Sequence, residues 1–409
     1  MRAQDPKPPD QIAFSQEFAS GSRDFSVVMG GPIYDFLLRT GLLRCGLPNA
    51  LYRIIALIIF TWFPLLILSV KDGLAVGHQV KVPFLYDFSM YGRYLFALPL
   101  FILAEIVIDP SIQRSVEEFV DSKIVQDKEL PRFEEVLHQT RRLRDSAIPE
   151  LLLLMLAFVP VYLLGSEWGM SATSLSATSS WHTIAHDITS GGWWFVTVSS
   201  PVLHFIIYRW FFRYSIWTLL LWRIMRLQLQ LISTHPDRAA GLGFLSLTQS
   251  HFGILFCALG FIFAGHVVNG LVHEGERLAS FKFPMAGFLA LSIIVGLFPL
   301  TLLSPKMAQV RRAGLRKYSK LGNQYTESFE QKWTGTVEPP SETLLGTSDI
   351  QSLADLRNSY QVIEQMAIAP ITKRLTLQLA VLAGIPFVPI IIFGTPTAEL
   401  VRQIVKMVT

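Results

Sequence analysis

Cysteine is nearly missing from this chain: Cys45 and Cys257 are the two in 409 residues, far apart in sequence. That excludes a disulfide framework and any cysteine-based metal site. Charge is scarce as well. Asp, Glu, Lys and Arg make up 16% of the residues, against about 25% in soluble domains. The net charge of +4 comes with no dense Lys/Arg block, so nucleic acid is not an expected partner. The N-terminal stretch MRAQDPKPPDQIAFSQEF has no apolar run, which predicts a polar cytoplasmic tail rather than a secretory signal. There is no phosphate-binding P-loop, no dinucleotide fingerprint, no HExxH and no Gly-x-Ser-x-Gly turn. No cofactor is expected and no catalytic residue is assigned, so an enzyme is the less expected class.

Apolar sequence is what the chain has in quantity: 51% hydrophobic residues and a mean hydropathy of +0.41. A helical crossing takes about 20 mainly apolar residues. Seven segments meet that length, at 51–70, 91–108, 147–165, 193–221, 251–272, 283–303 and 375–393. The predicted class is all-α and polytopic, with six or seven spans and a helical cytoplasmic layer. The last segment is the open one, because Pro386 and Pro389 could fold it into a hairpin. The expected organisation is a cytoplasmic tail and amphipathic lead-in over 1–48, then a membrane domain over 49–304. A cytoplasmic helical region over 305–370 and a last membrane segment with an amphipathic tail over 371–409 complete it. Gly260 and Ala264, four residues apart, predict close helix approach in the fifth span.

Orientation follows from basic residues in the loops. Segment 111–146 holds seven Lys/Arg and 305–333 holds another seven, whereas 166–192 holds none. The N-terminus is therefore expected in the cytoplasm, with the lipid bilayer as partner. Ile112, Val116 and Phe119 recur at helical spacing in the first segment, and Tyr318, Leu321, Tyr325 and Phe329 in the second. Counting Asp/Glu as well, the first carries 7 − 8 = −1 and the second 7 − 2 = +5. These opposite charges predict that the two pack together. Segment 345–366 reads as a capped helix, with Thr347 or Ser348 offering the cap oxygen and a face of Ile350, Leu353, Leu356, Tyr360 and Ile363.

The most informative stretch is Trp193 to Ile232, apolar at its ends but with Arg209 and Arg213 near its middle. Cations at membrane depth need a partner, a wet cavity or an interface. At about 100° per residue Arg209, Arg213 and Arg223 share one face, with His204 on another. An unbroken helix makes them a basic face for a small anion, or pairs them with Glu105, Asp109 or Glu150. A break near Phe212 makes them interface anchors that snorkel. The loop His235, Pro236, Asp237, Arg238 precedes Gly241 and Gly243; Asp237 is expected to cap the turn, and an anion in this basic loop is the alternative. On the outer side His182 and His186 stand four apart beside Asp187, a spacing that on a helix suits Zn²⁺ or Cu²⁺, with His78 and His273 on the same side. His266 and Asn269 are expected to hydrogen-bond between helices. Three functions are consistent with these features: an anion channel or carrier, a non-transporting scaffold or sensor acting through its cytoplasmic helices, and a metal-dependent membrane enzyme. Homo-oligomerisation is left open.

Four motifs carry a resemblance. STHPDRAAGLGFL at 233–245, FPLTLLSPKM at 298–307, RRAGLRKYSKLGNQYTESFEQKW at 311–333 and LLGTSDIQSLADLRNSY at 344–360 together resemble a group of uncharacterised multi-pass membrane proteins of bacteria. The resemblance covers roughly the C-terminal half. It implies a bacterial inner membrane, and it carries no activity and no site residue with it.

Overall fold

The computed structural model describes residues 25–32, 47–162, 180–184, 187–334 and 348–394. Its helices are α1 (Asn49–Lys71), α2 (Phe88–Asp121), α3 (Leu130–Arg144), α4 (Ala147–Tyr162), α5 (Ser190–Ile224), α6 (Phe244–His273), α7 (Leu278–Thr301), α8 (Ser304–Trp333), α9 (Ser348–Glu364) and α10 (Lys373–Ile392). A two-residue hairpin, β1 (Thr183–Ile184) and β2 (Asp187–Ile188), pairs Thr183 with Ile188 and Ile184 with Asp187. Proline falls in the first turn where α1 restarts after Trp62, after the π-turn of α5, and at the start of α8. There its missing N–H costs nothing.

Six of these helices, α1, α2, α5, α6, α7 and α10, are long and apolar enough to cross a membrane. A seventh crossing follows from connectivity. The start of α2 lies beside the end of α1 and the start of α5: Ser190 N donates to Asp72 at 3.2 Å and Trp181 Nε1 to Asp87 at 3.0 Å. The far end of α2 lies with the far end of α5, where Gln230 N donates to Ile124 O at 2.7 Å. The chain must therefore cross back between 121 and 180, and α4 is the apolar helix of that stretch. It turns Ile148 (71% exposed), Leu151, Leu152 and Met155 outward, as a lipid-facing helix does; in water such a patch would be an aggregation hazard. The expected third span is thus α4 as far as residue 162, and residues 163–165 lie outside the described residues. The last span does not turn back at its prolines: α10 passes through a 3₁₀ turn at Ile385–Phe387 and continues. Phe387 and Ile390 pack with Val267, Phe281 and Met285 near the opposite face. Gly260 makes this packing close, since a Cβ there would lie 2.9 Å from Pro386 Cγ.

The helical layer beyond the spans departs from the charge-based expectation. Helix α8 packs on α9, and α3 packs on α5. Segment 111–146 spends its apolar face elsewhere: Phe119 meets Phe244 of α6 edge-on at 5.2 Å. Helix α9 offers α8 what the net charge of 111–146 could not, a matching partner along its length. Lys332 Nζ reaches Asp349 at 2.9 Å, Tyr325 OH donates to Asp349 O at 2.9 Å, and Arg311 Nη2 donates to Glu364 O at 2.6 Å. Exposed ion pairs of this kind contribute little each, so net charge was a poor guide to which helices meet.

Candidate functional site

Helix α5 is unbroken from Ser200 to Ile224, so Arg209 and Arg213 stand deep in the bundle rather than at a helix end. Each meets a carboxylate from a neighbouring span. Arg213 Nη1 lies 2.8 Å from Glu105 Oε1 on α2, and Arg53 of α1 binds the other oxygen of Glu105 at 2.7 Å. Arg209 Nε stands 3.6 Å from Glu150 Oε1 on α4. The side chains of Arg213 and Glu105 are 5% and 12% exposed, so the pair is largely desolvated and each charge depends on the other. Arg213 also lies over the Trp210 ring, 5.1 Å from its centroid.

The surprise is residues 25–31, FSVVMGG, which lie beyond the polar stretch 1–18, within the expected tail and amphipathic lead-in over 1–48. They are inserted against these charges. Phe25, Val27 and Val28 are buried. Asp109 of α2 accepts Ser26 Oγ at 2.7 and 2.8 Å, Val27 N at 2.9 Å and Val28 N at 3.0 Å. Arg213 Nη2 donates to Val28 O at 3.1 Å, and Arg144 Nη1 donates to Ser26 O. Gly30 adopts φ +146°, and a Cβ there would come 2.2 Å from Asp145 Oδ1. Only glycine lets the strap pass this point. The strap thus closes a small cleft lined by Val27, Gly30, Glu150, Arg209 and Arg213 among others, with room for little more than one water molecule. Arg209 Nη2 is buried there without a hydrogen-bond partner among the described residues. The sequence signal for the strap was a short apolar run ending in Gly-Gly, too short for any span.

The remaining candidates scatter. Arg223 lies in the last turn of α5, away from the paired arginines, with Nη1 buried and unpartnered among the described residues. His204 Nδ1 donates to Ser200 O at 2.8 Å. In the 235–238 loop Asp237 accepts Ala239 N, Gly243 N and Gly241 N at 2.8, 2.9 and 3.2 Å, and His235 Nδ1 at 2.7 Å. Burial pushes this carboxyl up, but the four hydrogen bonds outweigh it and hold it below the usual carboxylate range. The backbone donors that might cradle an anion are thus already filled by the chain's own carboxylate. Arg238, at φ +55°, accepts Ala367 N at its carbonyl and ties this loop to the linker before α10.

Among the described residues the helix that the His182–His186 spacing relied on is absent, because β1 and β2 form a hairpin there. His182 is buried, stacked on Trp181 and bonded through Nδ1 to Ser180 Oγ. Burial lowers it to about 4, Asp87 opposing and Arg93 adding to the shift. His186 lies outside the described residues, and Asp187 is described through its backbone alone. His78 is exposed, and His273 Nε2 donates to Tyr86 O at 2.7 Å. Among the described residues no group of three His, Cys, Asp or Glu could hold a metal ion. Asn269 joins helices as expected, donating to Asp87 at 2.7 Å and accepting Phe88 N at 2.9 Å. His266 does not, for its Nδ1 is buried without a partner.

One residue escaped the sequence reading. Arg93 lies inside the second span, on a π-turn at Tyr91–Ala97. The chain is an all-α, multi-pass membrane protein. Comparison with protein-family models, curated proteins and solved structures found no match for it.

Proposed function

We propose that the chain is a gated anion channel or carrier of a bacterial inner membrane, its N-terminus in the cytoplasm, held shut by residues 25–31. The supporting observation is the strap itself. It takes the Arg213 guanidinium at Val28 O and four hydrogen bonds at Asp109, and it roofs the cleft where Arg209 Nη2 lacks a partner. Withdrawal of the strap would open that cleft and release one donor of Arg213. An entering anion would compete with Glu150 for Arg209, the loosest pair of the site at 3.6 Å. Charged side chains lining a narrow constriction are a common basis of pore selectivity. The basic segments on the far face of α2 and α5 support the orientation, and the four motifs support the bacterial inner membrane.

The test is chloride flux in proteoliposomes. The expected result is low flux for wild type, a rise for Ser26→Ala, which removes the hydroxyl that bonds Asp109, and loss of that rise when Arg209→Gln is added. No flux above empty vesicles from Ser26→Ala, or equal flux with and without Arg209, overturns the reading. A second reading, a scaffold signalling through its cytoplasmic helices, draws on the α8–α9 hairpin. It predicts a partner that co-purifies with the full chain and is lost on deleting 305–370.

A further inference from the structure

Three carboxylates stand around Arg209 and Arg213, and Asp109 differs from the other two. Glu105 bonds two arginines and Glu150 faces one. Asp109 has no ion pair among the described residues, although it is 3% exposed. All its donors there come from the strap: Ser26 Oγ, Val27 N and Val28 N. The strap's own turn aims the hydroxyl. Ser26 Oγ accepts Val28 N at 3.0 Å and Met29 N at 2.6 Å. A hydroxyl has two lone pairs and one proton, so both lone pairs are taken and the proton is committed to Asp109.

An ionised carboxylate only accepts, and it matches these three donors. A protonated one turns an O–H toward the same donors. Ser26 Oγ is already full, and the Ser26 and Val28 carbonyls already accept from Arg144 and Arg213. A donor buried against donors is costly, so either the proton or the strap must leave. The two compete for one carboxylate, and the competition is reciprocal. Departure of the strap takes every named donor from Asp109 and leaves a buried charge that a proton neutralises.

We infer that Asp109 is a proton-binding site whose protonation releases the strap, so that the anion path opens in acid. This rests on the gate reading above, since it takes the strap for the moving part. The other charged groups near the strap are held differently. On α2, Glu105 lies one turn before Asp109, between Arg213 of α5 and Arg53 of α1. On α4, Glu150 faces Arg209 of α5, and its Oε2 would lie 3.1 Å from a Cβ on Gly31. At the end of α3, Arg144 binds Asp145 through Nε and Nη2 at 2.7 and 2.8 Å, and Arg141 lies 5.7 Å over the Phe25 ring. The arginines stay charged at any working pH. Among the described residues no histidine bonds the strap. The Asp145 side chain is 45% exposed and reaches the Ser26 carbonyl only through Arg144. Asp109 is the carboxylate whose named partners all leave with the strap.

Electron paramagnetic resonance tests it, on a nitroxide at Met29→Cys, an exposed strap position. The full chain, with Cys45 and Cys257 replaced by serine, is placed in proteoliposomes with equal pH on both faces, and chloride flux is read on the same vesicles. The label is expected to be immobile at about pH 7.5 and mobile at about pH 5. Its mobile-to-immobile ratio should rise by up to about tenfold per pH unit, because one proton is taken up per strap, and flux should rise with it. Asp109→Asn puts a donor where the proton would sit, so its label should be mobile at both pH values. Ser26→Ala should move the transition up by about one pH unit, tenfold in proton concentration, the scale of one hydrogen bond to a charged group. Asp145→Asn should keep the acid response. A wild-type label equally mobile at both pH values overturns the proposal, and that measurement needs no variant to fold. So does an acid transition that survives in Asp109→Asn or disappears in Asp145→Asn, and so does flux that rises in acid past a label that stays immobile. A label that acid releases with no chloride flux upholds the proton site and overturns the gate reading instead.

Discussion

Arg213 and Arg93 are both cations within membrane spans, and the fold treats them in opposite ways. Arg213 is surrounded: Glu105 on α2, the Val28 carbonyl of the strap and the Trp210 ring all meet it. The Arg93 side chain meets no acceptor among the described residues. The difference teaches where to look for a ligand. A cation saturated by the chain is a structural joint or a closed gate, and any ligand must first displace something. A cation left open at headgroup depth needs its counter-charge from outside. The first kind makes the fold depend on it; the second need not.

The sharpest way to break this comparison is to remove the shared carboxylate. Glu105→Gln leaves Arg213 and Arg53 without their acceptor, and loss of one member of a buried pair costs about 3–5 kcal/mol. A large drop in thermal midpoint is expected for the purified protein. The double variant Glu105→Gln with Arg213→Gln should lose less than the two single variants together, because the groups are coupled. Strict additivity would show that the pair is not a joint.

Much of this contrast was legible beforehand, and the illegible part has a physical cause. The spans showed because a crossing needs a long apolar run. The partners of Arg209 and Arg213 were among three named carboxylates because few acids sit at the ends of α2 and α4. The strap did not show: residues 25–31 are too few for periodicity, and what buries them is a set of charges brought from residues 105–213. Arg93 fell inside the expected second span, but the π-turn that carries it has no sequence signature. The hairpin at 183–188 defeated the i, i+4 argument, which holds on a helix and nowhere else.

Asp237 sharpens the comparison from the acid side, as a carboxylate saturated by backbone N–H groups outside the membrane. Asp237→Asn should cost about 1–2 kcal/mol at neutral pH, in the range of a lost cap. The sign of its pH dependence is fixed by its lowered folded-state pKa. The unfolded chain binds the proton first as pH falls, so stability from this group is complete above the unfolded value, about 3.9, and fades as pH drops through the folded one. The gap between wild type and Asp237→Asn should narrow in acid. A gap that is constant down to pH 3, or so, would mean that the carboxylate charge plays no part in the loop.

The smallest expected effect belongs to Arg93. In detergent-solubilised protein, Arg93→Leu removes a side chain that makes no hydrogen bond or ion pair among the described residues, so no partner is left unpaired there. The thermal midpoint should stay level or rise, by the equivalent of no more than about 1 kcal/mol. A loss as large as that of Glu105→Gln would mean that Arg93 is held by the fold after all. The two arginines would then be two joints of one kind.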